Sequence, residues 1–590
     1  MPGIVLDGQK IEAAAGKTVI EAAYENGFQI THFCWHPELS VSGNCRMCLV
    51  EIGMPKRMPD GSIQNDNEGN PVISYFPKLQ IACATTIAEG MHINTKKENV
   101  VKAQDAVMEF LLINHPLDCP ICDEAGQCKL QEYGYKHSAG ESRFEEEKVH
   151  APKRQSWGPT VVFDAERCIK CSRCIRFAQE VAKQDVLTFV NRSDHVTIEL
   201  FDEKQFDNDY SMNVIDICPV GALTSKDFRF KARVWDMSFN DSICPGCARG
   251  CNIKLGVRNN EILRIEPRTN PYVNKYWMCD YGRLTQYKFV NENRVTEPMI
   301  RWKNELIPCS WDEAYAKAEE SLKKLKPEEI MFIGSGRTAN EGNYLLGKFA
   351  REIFKSGNIG LFRDIDESFK DDLLKVSDKK PNHLGAVEVG IVPGKDGVTV
   401  QNLPEKMRYK NIKALYIITD QIVDYRPIID ELDDLELIIV HAYNHTPLTK
   451  KADIVFAAST YAEIEGTYVN IDKRVQHLSP ALVTSENMRF MGMKMSRLDK
   501  FGAPNDRWTQ HKLRNTLPHW KILTKLAEQF NVKWNYKSAK DVFKEITEKI
   551  PSFAGMSYEK LIEYQGLTLG KAGQPDPKVI NYESHVMKPN

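Results

Sequence analysis

Short stretches of alternating apolar and polar residues characterise the first 95 residues of the chain. They cover Ile4–Leu6, Cys48–Ile52 and Leu79–Ala84, and such alternation predicts half-buried strands. Thr18–Asn26 instead places its apolar residues on one helical face. The pattern therefore predicts a small sheet crossed by one helix. Residues 54–78 are rich in polar residues, Gly and Pro, which predicts a surface loop.

A second helix is predicted over Lys96–Ile113, where apolar residues again recur at helical spacing. It is expected to end just before His115-Pro116, because proline disfavours helical backbone in the residue before it. Residues 136–158 are charged and without periodicity, so we interpret them as a linker.

The pattern changes after about residue 296, where longer apolar runs predict buried strands. These runs are Ile330–Ile333, Ala414–Ile418, Leu435–Val440 and Ile454–Ala457. Helical segments are predicted over Trp311–Leu325 and Asn343–Phe354. Strands and helices in this arrangement are typical of an α/β domain. The segment Gly570–Asn590 is expected to be poorly ordered.

Length and composition limit the class of protein. A chain of 590 residues exceeds what one core normally supports, so roughly three to five domains are expected. The net charge of -2 provides no positive field for nucleic acid. The N-terminus lacks a signal-peptide pattern, and no apolar run approaches the 18 residues that span a bilayer. We expect an intracellular, soluble protein, or one attached to a membrane only through partners.

Fifteen of the 16 cysteines, together with His115, fall into four groups of four. We call them the Cys34 set (Cys34, Cys45, Cys48, Cys83), the His115 set (His115, Cys119, Cys122, Cys128), the Cys168 set (Cys168, Cys171, Cys174, Cys218) and the Cys244 set (Cys244, Cys247, Cys251, Cys279). In a reducing compartment, clustered cysteines favour metal binding over disulfides. The spacings indicate iron–sulfur clusters, which pass single electrons.

The Cys168 set has the strongest pattern. Three cysteines at Cys-x2-Cys-x2-Cys spacing, completed by the remote Cys218-Pro219, predict one [4Fe-4S] cluster. The Cys34 set follows the order of [2Fe-2S] ferredoxins, with a longer first interval than the plant-type motif has. The Cys244 set also fits a cluster. Structural zinc is the alternative for all three, although zinc more often uses paired Cys-x2-Cys units.

In the His115 set, three cysteines need a fourth ligand, and the candidates are His115 and the distant Cys309. A lone histidine is more often a hydrogen-bonding residue, but beside three incomplete cysteines we favour it as the ligand. An imidazole in place of a thiolate removes a negative charge, and in Rieske centres this exchange raises the potential. We therefore expect this cluster to differ in potential from its neighbours.

The ordered series resembles the G-subunit family of NADH-quinone oxidoreductase, the 75-kilodalton subunits of respiratory complex I. The similarity lies in the [2Fe-2S] β-grasp order, in His115-x3-Cys119-x2-Cys122-x5-Cys128 and in the ferredoxin-like set. The Cys244 set is similar to one found in some bacterial members and in molybdopterin oxidoreductases. Gly334–Glu341 and Glu463–Asn470 also resemble the molybdopterin oxidoreductases. The resemblance covers roughly residues 1 to 480.

The resemblance implies a multidomain α+β and α/β protein. Its domains would be a [2Fe-2S] β-grasp ferredoxin domain over 1–95, a one-His/three-Cys [4Fe-4S] segment over 96–136, a ferredoxin-like [4Fe-4S] domain over 159–232, a molybdopterin-oxidoreductase-type [4Fe-4S] domain over 237–295 and a non-catalytic molybdopterin-oxidoreductase-like α/β domain over 296–590. The expected cofactors are one [2Fe-2S] and three [4Fe-4S] clusters, with no molybdopterin. All 16 residues of the four sets are expected metal ligands, and no catalytic residue is expected.

The function that the resemblance implies is an electron relay within a proton-translocating NADH:quinone oxidoreductase. A flavin-bearing partner subunit would oxidise NADH, electrons would enter at the Cys34 set, and they would leave through the His115 set toward a ferredoxin-like two-cluster subunit and quinone. The Cys244 set is thought to lie off this path. The complex would lie at the cytoplasmic side of the bacterial inner membrane.

The chain departs from catalytic molybdopterin enzymes at the position of the metal ligand. No cysteine lies between Asn340 and Asn411, and Ser368 is the nearest candidate molybdenum ligand, although a surface serine is the commoner explanation. Gly334-x-Gly336-x-x-Ala339 fits a dinucleotide fingerprint, but Asp364 lies farther away than the usual ribose-binding acid. The rival functions are a molybdopterin-dependent, NAD-linked formate dehydrogenase chain and a zinc-stapled interaction protein.

Overall fold

The computed structural model describes residues 1–138, 140–419, 422–488, 514–580 and 582. The chain forms two compact units. The first comprises Met1–Trp235 and Ile580–Asn590, and the second comprises Asp236–Val579. The Cys34, His115 and Cys168 sets belong to the first unit, and the Cys244 set belongs to the second.

A six-stranded sheet opens the first unit, as the alternating pattern predicted. Its strands are Gly3–Leu6, Gln9–Glu12, Leu49–Pro55, Ile73–Tyr75, Gln80–Ile81 and His92–Asn94. Gly3–Leu6 pairs parallel with His92–Asn94, which pairs antiparallel with Leu49–Pro55. The predicted helix is confirmed as Val19–Glu25 and begins at a capping box between Thr18 and Glu21. Its apolar face joins the buried core of the sheet.

The polar insertion 54–78 lies on the surface, as expected, but its backbone is paired with itself. The amide of Lys56 donates to the carbonyl of Val72 over 2.8 Å, so the backbone continues as a narrow antiparallel ribbon. One turn is held by Asp66, whose Oδ1 accepts from the amide of Asn70 at 2.9 Å. Because most side chains of the ribbon are exposed, no apolar alternation revealed it.

The rest of the first unit is built from short elements. The helices are Glu98–Leu112, Lys129–His137, Arg173–Glu180 and Asn213–Ile217, and the strands are Gln155–Ser156, Val161–Phe163, Leu187–Val190, Thr197–Leu200 and Leu223–Ser225. The helix predicted over Lys96–Ile113 is confirmed as Glu98–Leu112. The predicted linker begins inside the helix Lys129–His137, and its described residues are otherwise irregular up to Gln155.

Tyr582 corrects the expectation that the whole segment after Gly570 is poorly ordered. Its ring centroid lies 5.8 Å from that of Tyr24 and 5.9 Å from that of Trp35. Its hydroxyl donates to Glu25 Oε1 over 3.2 Å. Residue 581 and residues 583–590 lie outside the described part of the chain.

The second unit begins with an antiparallel sheet of Ser238–Ile243, Asn252–Arg258 and Glu261–Pro267. Two short helices, Asp280–Thr285 and Lys288–Asn291, follow it. Cys244 and Cys251 lie in the turn between the first two strands, and Cys279 immediately precedes the first helix. The sheet and that helix therefore position the Cys244 set.

A seven-stranded sheet organises the remainder of the second unit. Its strand order is Glu305–Pro308, Met299–Trp302, Ile454–Ala457, Leu437–Ala442, Ala414–Ile417, Ile330–Gly334 and Ile359–Leu361, of which the last five are parallel to one another. The four predicted strands are confirmed, with small changes in their ends. The edge hairpin Met299–Trp302 and Glu305–Pro308 was missed, because its residues are mostly half-buried or exposed.

Helices cover this sheet on both faces, and two buried clusters lie against it. The helices are Trp311–Leu322, Asn340–Lys348, His383–Glu388, Leu403–Arg408, Pro447–Lys451, His519–Gln529, Ala539–Lys549 and Tyr558–Glu563. The helix predicted over Asn343–Phe354 starts three residues earlier and continues as a π-helix over Phe349–Ile353. A small sheet of Gly466–Val469, Arg474–Leu478 and Leu567–Thr568 completes the unit. No helix among the described residues is long and apolar enough to cross a membrane.

Candidate metal centres

The Cys34 set lies at the edge of the first sheet. Cys48 immediately precedes the strand Leu49–Pro55, Cys83 follows Gln80–Ile81, and Cys34 and Cys45 lie in the preceding loop. The amide of Cys34 donates to Cys45 Sγ at 3.5 Å. Cys45 acts on the pKa of Cys34, and Cys83 and Cys34 both act on the pKa of Cys48, so these thiols are neighbours. The structure therefore brings all four predicted ligands together.

Ionisation of Cys34 disfavours ionisation of the neighbouring Cys45. The hydrogen bond from Cys45 lowers the pKa of Cys34 to about 5, and the Arg176 guanidinium acts in the same direction. The bond to Cys34 and burial raise the pKa of Cys45, and the bond to Cys83 and burial raise that of Cys48. One thiolate forms readily and the next are disfavoured, so a bound cation is needed for four thiolates.

The Cys168 set surrounds a small cavity of the first unit. All four of its cysteines line this cavity, together with apolar residues that include Phe163, Ile198 and Leu223. Burial and then the neighbouring thiol of Cys171 raise the pKa of Cys168 to about 12. Burial and the other thiols of the set also raise the pKa of Cys218. The cavity therefore offers converging thiols in an apolar enclosure.

The loop between these cysteines has an unusual backbone. Lys170 and Ser172 have φ of 57° and 62°, in the left-handed region that favours glycine. This winding brings the amide of Lys170 within 3.3 Å of Cys168 Sγ. Amides that donate to sulfur are one means by which proteins tune such centres. The backbone amide therefore reaches the sulfur at the expense of backbone strain.

The His115 set is only partly assembled by direct contacts. Cys128 immediately precedes the helix Lys129–His137, and Cys122 follows the short turn Cys119–Ile121. Burial raises the pKa of Cys122 to about 11 and that of Cys128 to about 12, and the Cys122 thiol adds to the effect on Cys128. Contacts among the described residues thus relate Cys122 and Cys128, and do not include His115 or the exposed Cys119.

His115 itself has the protonation state that a ligand requires. Burial lowers its pKa to about 4, and Lys148 and Arg167 add to this effect. The imidazole is therefore neutral at physiological pH, as a metal-binding histidine must be. Lys148 Nζ also donates to the His115 carbonyl at 2.8 Å, which holds the backbone of this residue.

The loop after Cys218 connects the Cys168 and His115 sets. Cys128 Sγ lies 4.0 Å from the Pro219 carbonyl oxygen. A Cβ atom added to Gly221 would lie 2.1 Å from Cys122 Sγ. The backbone of Gly221 does not have a positive φ, so this position requires a small residue for space alone. The sequence-based reasoning missed this role, although the glycine three residues after a ligand was a possible signal.

The Cys244 set is buried in the second unit. Cys279 caps the helix Asp280–Thr285, and its Sγ accepts from the amide of Gly282 at 3.4 Å. A Cβ atom at Gly282 would lie 3.0 Å from Cys244 Sγ and 3.5 Å from Cys279 Sγ. Burial and then the neighbouring thiols of Cys279 and Cys247 raise the pKa of Cys244. The helix therefore approaches the thiols closely because it carries a glycine.

The donor sets consist of thiols and one imidazole, which are ligand types of iron–sulfur clusters and of zinc. A single zinc ion binds sulfur at about 2.3 Å, so its ligands must lie close together. No group of three or more His, Cys, Asp or Glu in the described part of the chain is arranged to hold one metal ion. An iron–sulfur cluster contains several irons and reaches thiols that are farther apart. Four sets of mostly buried thiols fit such clusters.

In the α/β domain, the candidate molybdenum ligand and the candidate nucleotide-binding residues contact other residues of the protein. Ser368 Oγ donates to Asp366 Oδ1 at 2.6 Å on the surface. A Cβ atom at Gly336 would meet Lys380 Cβ at 2.6 Å, so this glycine makes room for the protein's own chain. Asp364 lies 3.8 Å from Lys380 Nζ. These contacts argue against Ser368 as a molybdenum ligand and against nucleotide binding at the glycines.

Two buried arginines were also missed by the sequence-based reasoning. Arg173 and Arg176 are 2% and 7% exposed, although arginine is rarely buried without a partner. Arg176 donates to the carbonyl of Cys34 at 2.5 Å and to that of Cys171 at 3.4 Å. Their spacing of three residues within the cysteine-rich segment was the only available signal.

Models of five protein families match the chain. The 2Fe-2S iron-sulfur cluster binding domain matches residues 3–98, the NADH-ubiquinone oxidoreductase-G iron-sulfur binding region matches 104–143, the ferredoxin-like domain of NADH-quinone oxidoreductase subunit 3 matches 158–224, the molybdopterin oxidoreductase Fe4S4 domain matches 237–291, and molybdopterin oxidoreductase matches 294–373 and 373–489. The predicted fold class and the presence of [2Fe-2S] and [4Fe-4S] binding domains are thereby confirmed.

Curated relatives of the chain are subunits of the same oxidoreductase. The NADH-quinone oxidoreductase G subunit of Rickettsia bellii is 38% identical over 350 residues, which is 59% of this chain and 48% of the relative. Subunit 3 of the Thermus thermophilus oxidoreductase is 38% identical over 356 residues, which is 58% of this chain and 45% of the relative. The chain thus spans about half the length of the curated relatives it matches.

A solved NAD+-reducing [NiFe]-hydrogenase in the H2-reduced state is 27% identical, covering 40% of this chain and 91% of that chain with a TM-score of 0.32. That score is too low to support a structural argument. The relatives and the family models confirm the resemblance that the cysteine motifs indicated. Over the matched residues, the chain is similar to the NADH-quinone oxidoreductase G subunits, and residues 294–489 match the model of molybdopterin oxidoreductase.

Proposed function

We propose that this chain is the iron–sulfur electron-transfer subunit of a proton-translocating NADH:quinone oxidoreductase. It relays electrons from a flavin-bearing, NADH-oxidising partner subunit toward quinone and has no substrate site of its own. Its four sets hold one [2Fe-2S] and three [4Fe-4S] clusters, with His115 as the single imidazole ligand. When bound, these clusters accept and release single electrons.

The observation that best supports this proposal is the continuity of three sets within one compact unit. Arg176 contacts the carbonyls of Cys34 and Cys171. The Pro219 carbonyl then reaches Cys128. Each set is therefore separated from the next by one side chain or one loop. Such short separations suit electron transfer. Structural zinc sites in an interaction protein would not need to lie close to one another.

The residues around the sets exclude water and balance charge. Most of the thiols are buried, and burial raises the pKa of many of them, so the thiolates depend on the positive charge that they bind. The partners proposed for the relay are the flavin subunit and a ferredoxin-like two-cluster subunit. These partners would hold the chain at the cytoplasmic side of the bacterial inner membrane.

A catalytic molybdopterin function has less support. The Ser368 hydroxyl donates a hydrogen bond to Asp366. Lys380 of the same chain packs closely against Gly336. We therefore propose that the domain over 296–590 is a scaffold without catalysis. Stoichiometric molybdenum in the isolated protein would instead support the NAD-linked formate dehydrogenase function.

Elemental analysis of the anaerobically purified full-length protein tests the proposed function. We expect about 14 irons with acid-labile sulfide, given one two-iron and three four-iron clusters, and neither zinc nor molybdenum in stoichiometric amounts. Chelation of the iron should abolish the visible absorption. A colourless protein that contains zinc and lacks labile sulfide would refute the assignment.

The variant His115→Cys tests the imidazole ligand. A thiolate in place of the imidazole adds a negative charge, so we expect the potential of one [4Fe-4S] cluster to fall while the others keep theirs. Electron paramagnetic resonance during a redox titration measures this change. The variant His195→Cys, at an exposed histidine of the same unit, is the matched control. Identical spectra for His115→Cys and the wild-type protein would reject His115 as a ligand.

A further inference from the structure

Arg173 and Arg176 lie on one face of the helix Arg173–Glu180, because residues three apart are neighbours on a helix. The helix begins within the Cys168 set, since Cys174 is its second residue. Both guanidiniums nevertheless also donate to the loop that carries Cys34. The helix therefore belongs to one set and contacts another.

Arg176 joins the two sets through their ligand residues. Its Nη2 donates to the carbonyl of Cys34 at 2.5 Å and to that of Cys171 at 3.4 Å, and its Nη1 donates to the carbonyl of Ser40. Its Nε donates to Ser172 Oγ at 3.1 Å. One guanidinium thus fixes the backbone of both loops at once.

Arg173 makes the parallel connection one helical turn earlier. Its Nη1 donates to the carbonyl of Ile217 at 2.9 Å, next to Cys218. Its Nη2 donates to the carbonyl of Trp35, next to Cys34. Each arginine therefore connects a residue at or beside a ligand of the Cys34 set with one at or beside a ligand of the Cys168 set.

The four acceptors of Arg176 are three neutral carbonyls and a hydroxyl rather than carboxylates. Glu180 is the acidic residue that acts on Arg176 electrostatically, and its carboxylate accepts from the amide of Ser40 at 2.9 Å. Burying a charge without a close counter-charge is costly. Thiolates of the two sets would provide negative charge on both sides of the guanidinium.

We propose that Arg173 and Arg176 are positioning residues that fix the separation of the Cys34 and Cys168 centres and raise the reduction potentials of both. This inference depends on the proposed function, because it requires clusters in both sets. A reduced cluster carries one more negative charge than an oxidised one, so a nearby buried cation stabilises the reduced form. The same two side chains therefore set the distance of one electron-transfer step and the reduction potentials of the two centres that it joins.

The decisive variant is Arg176→Met in the full-length protein, which keeps most of the side-chain volume and removes the charge. We expect the equilibrium constant for reduction to fall about tenfold at both centres, which is 59 mV for a one-electron couple. Redox titration followed by electron paramagnetic resonance measures it. The clusters of the His115 and Cys244 sets act as internal references. The variant Arg192→Met, at an exposed arginine of the same unit, should change nothing.

Arg176→Lys separates charge from geometry. A lysine keeps the positive charge but cannot donate to two loops as a planar guanidinium does. We expect potentials close to those of the wild-type protein but an altered magnetic coupling between the two centres. If Arg176→Met cannot be loaded with clusters, Arg176→Lys decides the matter: unchanged coupling would overturn the positioning role.

The inference and the proposed function fail in different ways. Absence of iron and labile sulfide from the wild-type protein would remove the proposed function itself. Fully loaded Arg176→Met with unchanged potentials at both centres would overturn only the inference. A shift confined to the Cys34 centre would also overturn it, because the arginines contact both sets.

Discussion

Replacing Gly221 by alanine is expected to empty the His115 centre. The added Cβ would lie 2.1 Å from Cys122 Sγ, which is closer than real Cβ contacts, and 3.0 Å from Glu124 Cβ, so Cys122 must move. The iron content should fall by about four atoms, the content of one [4Fe-4S] cluster. Iron and sulfide analysis combined with electron paramagnetic resonance measures the loss.

Gly134→Ala is the matched control for this change. Gly134 lies in the neighbouring helix Lys129–His137, and a Cβ added there meets nothing within 4 Å. The control should keep its full iron content and gain slightly in helix stability, because alanine favours helix over glycine. A Gly221→Ala protein with the iron content of the control would show that Cys122 does not need the space that the glycine provides.

Replacing Glu463 by alanine is expected to produce the largest loss of stability in the second unit. The carboxylate is fully buried and accepts from Arg294 Nη2 at 3.0 Å, from Arg514 Nη1 at 2.5 Å and from the amide of Thr460 at 2.7 Å. Its removal leaves two buried guanidiniums without their counter-charge. Breaking a buried ion pair in this way costs about 3–5 kcal/mol. Hydrogen exchange of the second unit measures the change in its free energy of unfolding.

The contribution of Glu463 to the stability of the second unit should also depend on pH. Burial alone would raise the pKa of Glu463, but Arg294 and Arg514 outweigh it and hold the pKa below its ordinary value. A depressed pKa stabilises the folded state above the unfolded-state pKa, and this stabilisation is lost as the pH falls through the folded-state pKa. The difference in free energy of unfolding between the wild-type and Glu463→Ala proteins should therefore become smaller at acidic pH.

Glu320→Ala provides the reference for an acidic residue that is not buried. Glu320 pairs with Lys317 and Lys324 on the surface of a helix, and exposed pairs of this kind contribute little to stability. A Glu463→Ala protein as stable as the Glu320→Ala protein would show that the buried ion pairs of Glu463 with Arg294 and Arg514 do not stabilise this unit.

The fold was predictable from sequence where apolar runs are buried on both sides. Ile330–Gly334 and Ala414–Ile417 are entirely buried strands of the seven-stranded sheet, so their composition alone identified them. The hairpin Met299–Trp302 and Glu305–Pro308 lacks this signal because solvent reaches many of its side chains. Edge strands and exposed ribbons depend on pairing partners that are distant in sequence, and local pattern cannot identify them.

The candidate sites were predictable to the extent that their chemistry is carried by cysteine. Spacing alone grouped the thiols, and the contacts within the Cys34, Cys168 and Cys244 sets agree with the grouping. The positions of Arg176 and Gly221 were not predictable. A charged residue indicates surface, and a glycine that closely follows a proline indicates a turn, unless the three-dimensional neighbours are known. The ligand assignments stay predictions that the iron content and the His115→Cys variant test.

The left-handed backbone of Lys170 and Ser172 has a consequence for the life cycle of the protein. Each such residue costs roughly 1–2 kcal/mol relative to ordinary backbone, and the bonds from the Cys168 set to its proposed cluster would offset this cost. In a newly synthesised chain without a cluster, we expect Lys170 and Ser172 to leave the left-handed region and this loop to become less ordered. An unloaded subunit would then differ from a loaded one in the backbone conformation of this loop.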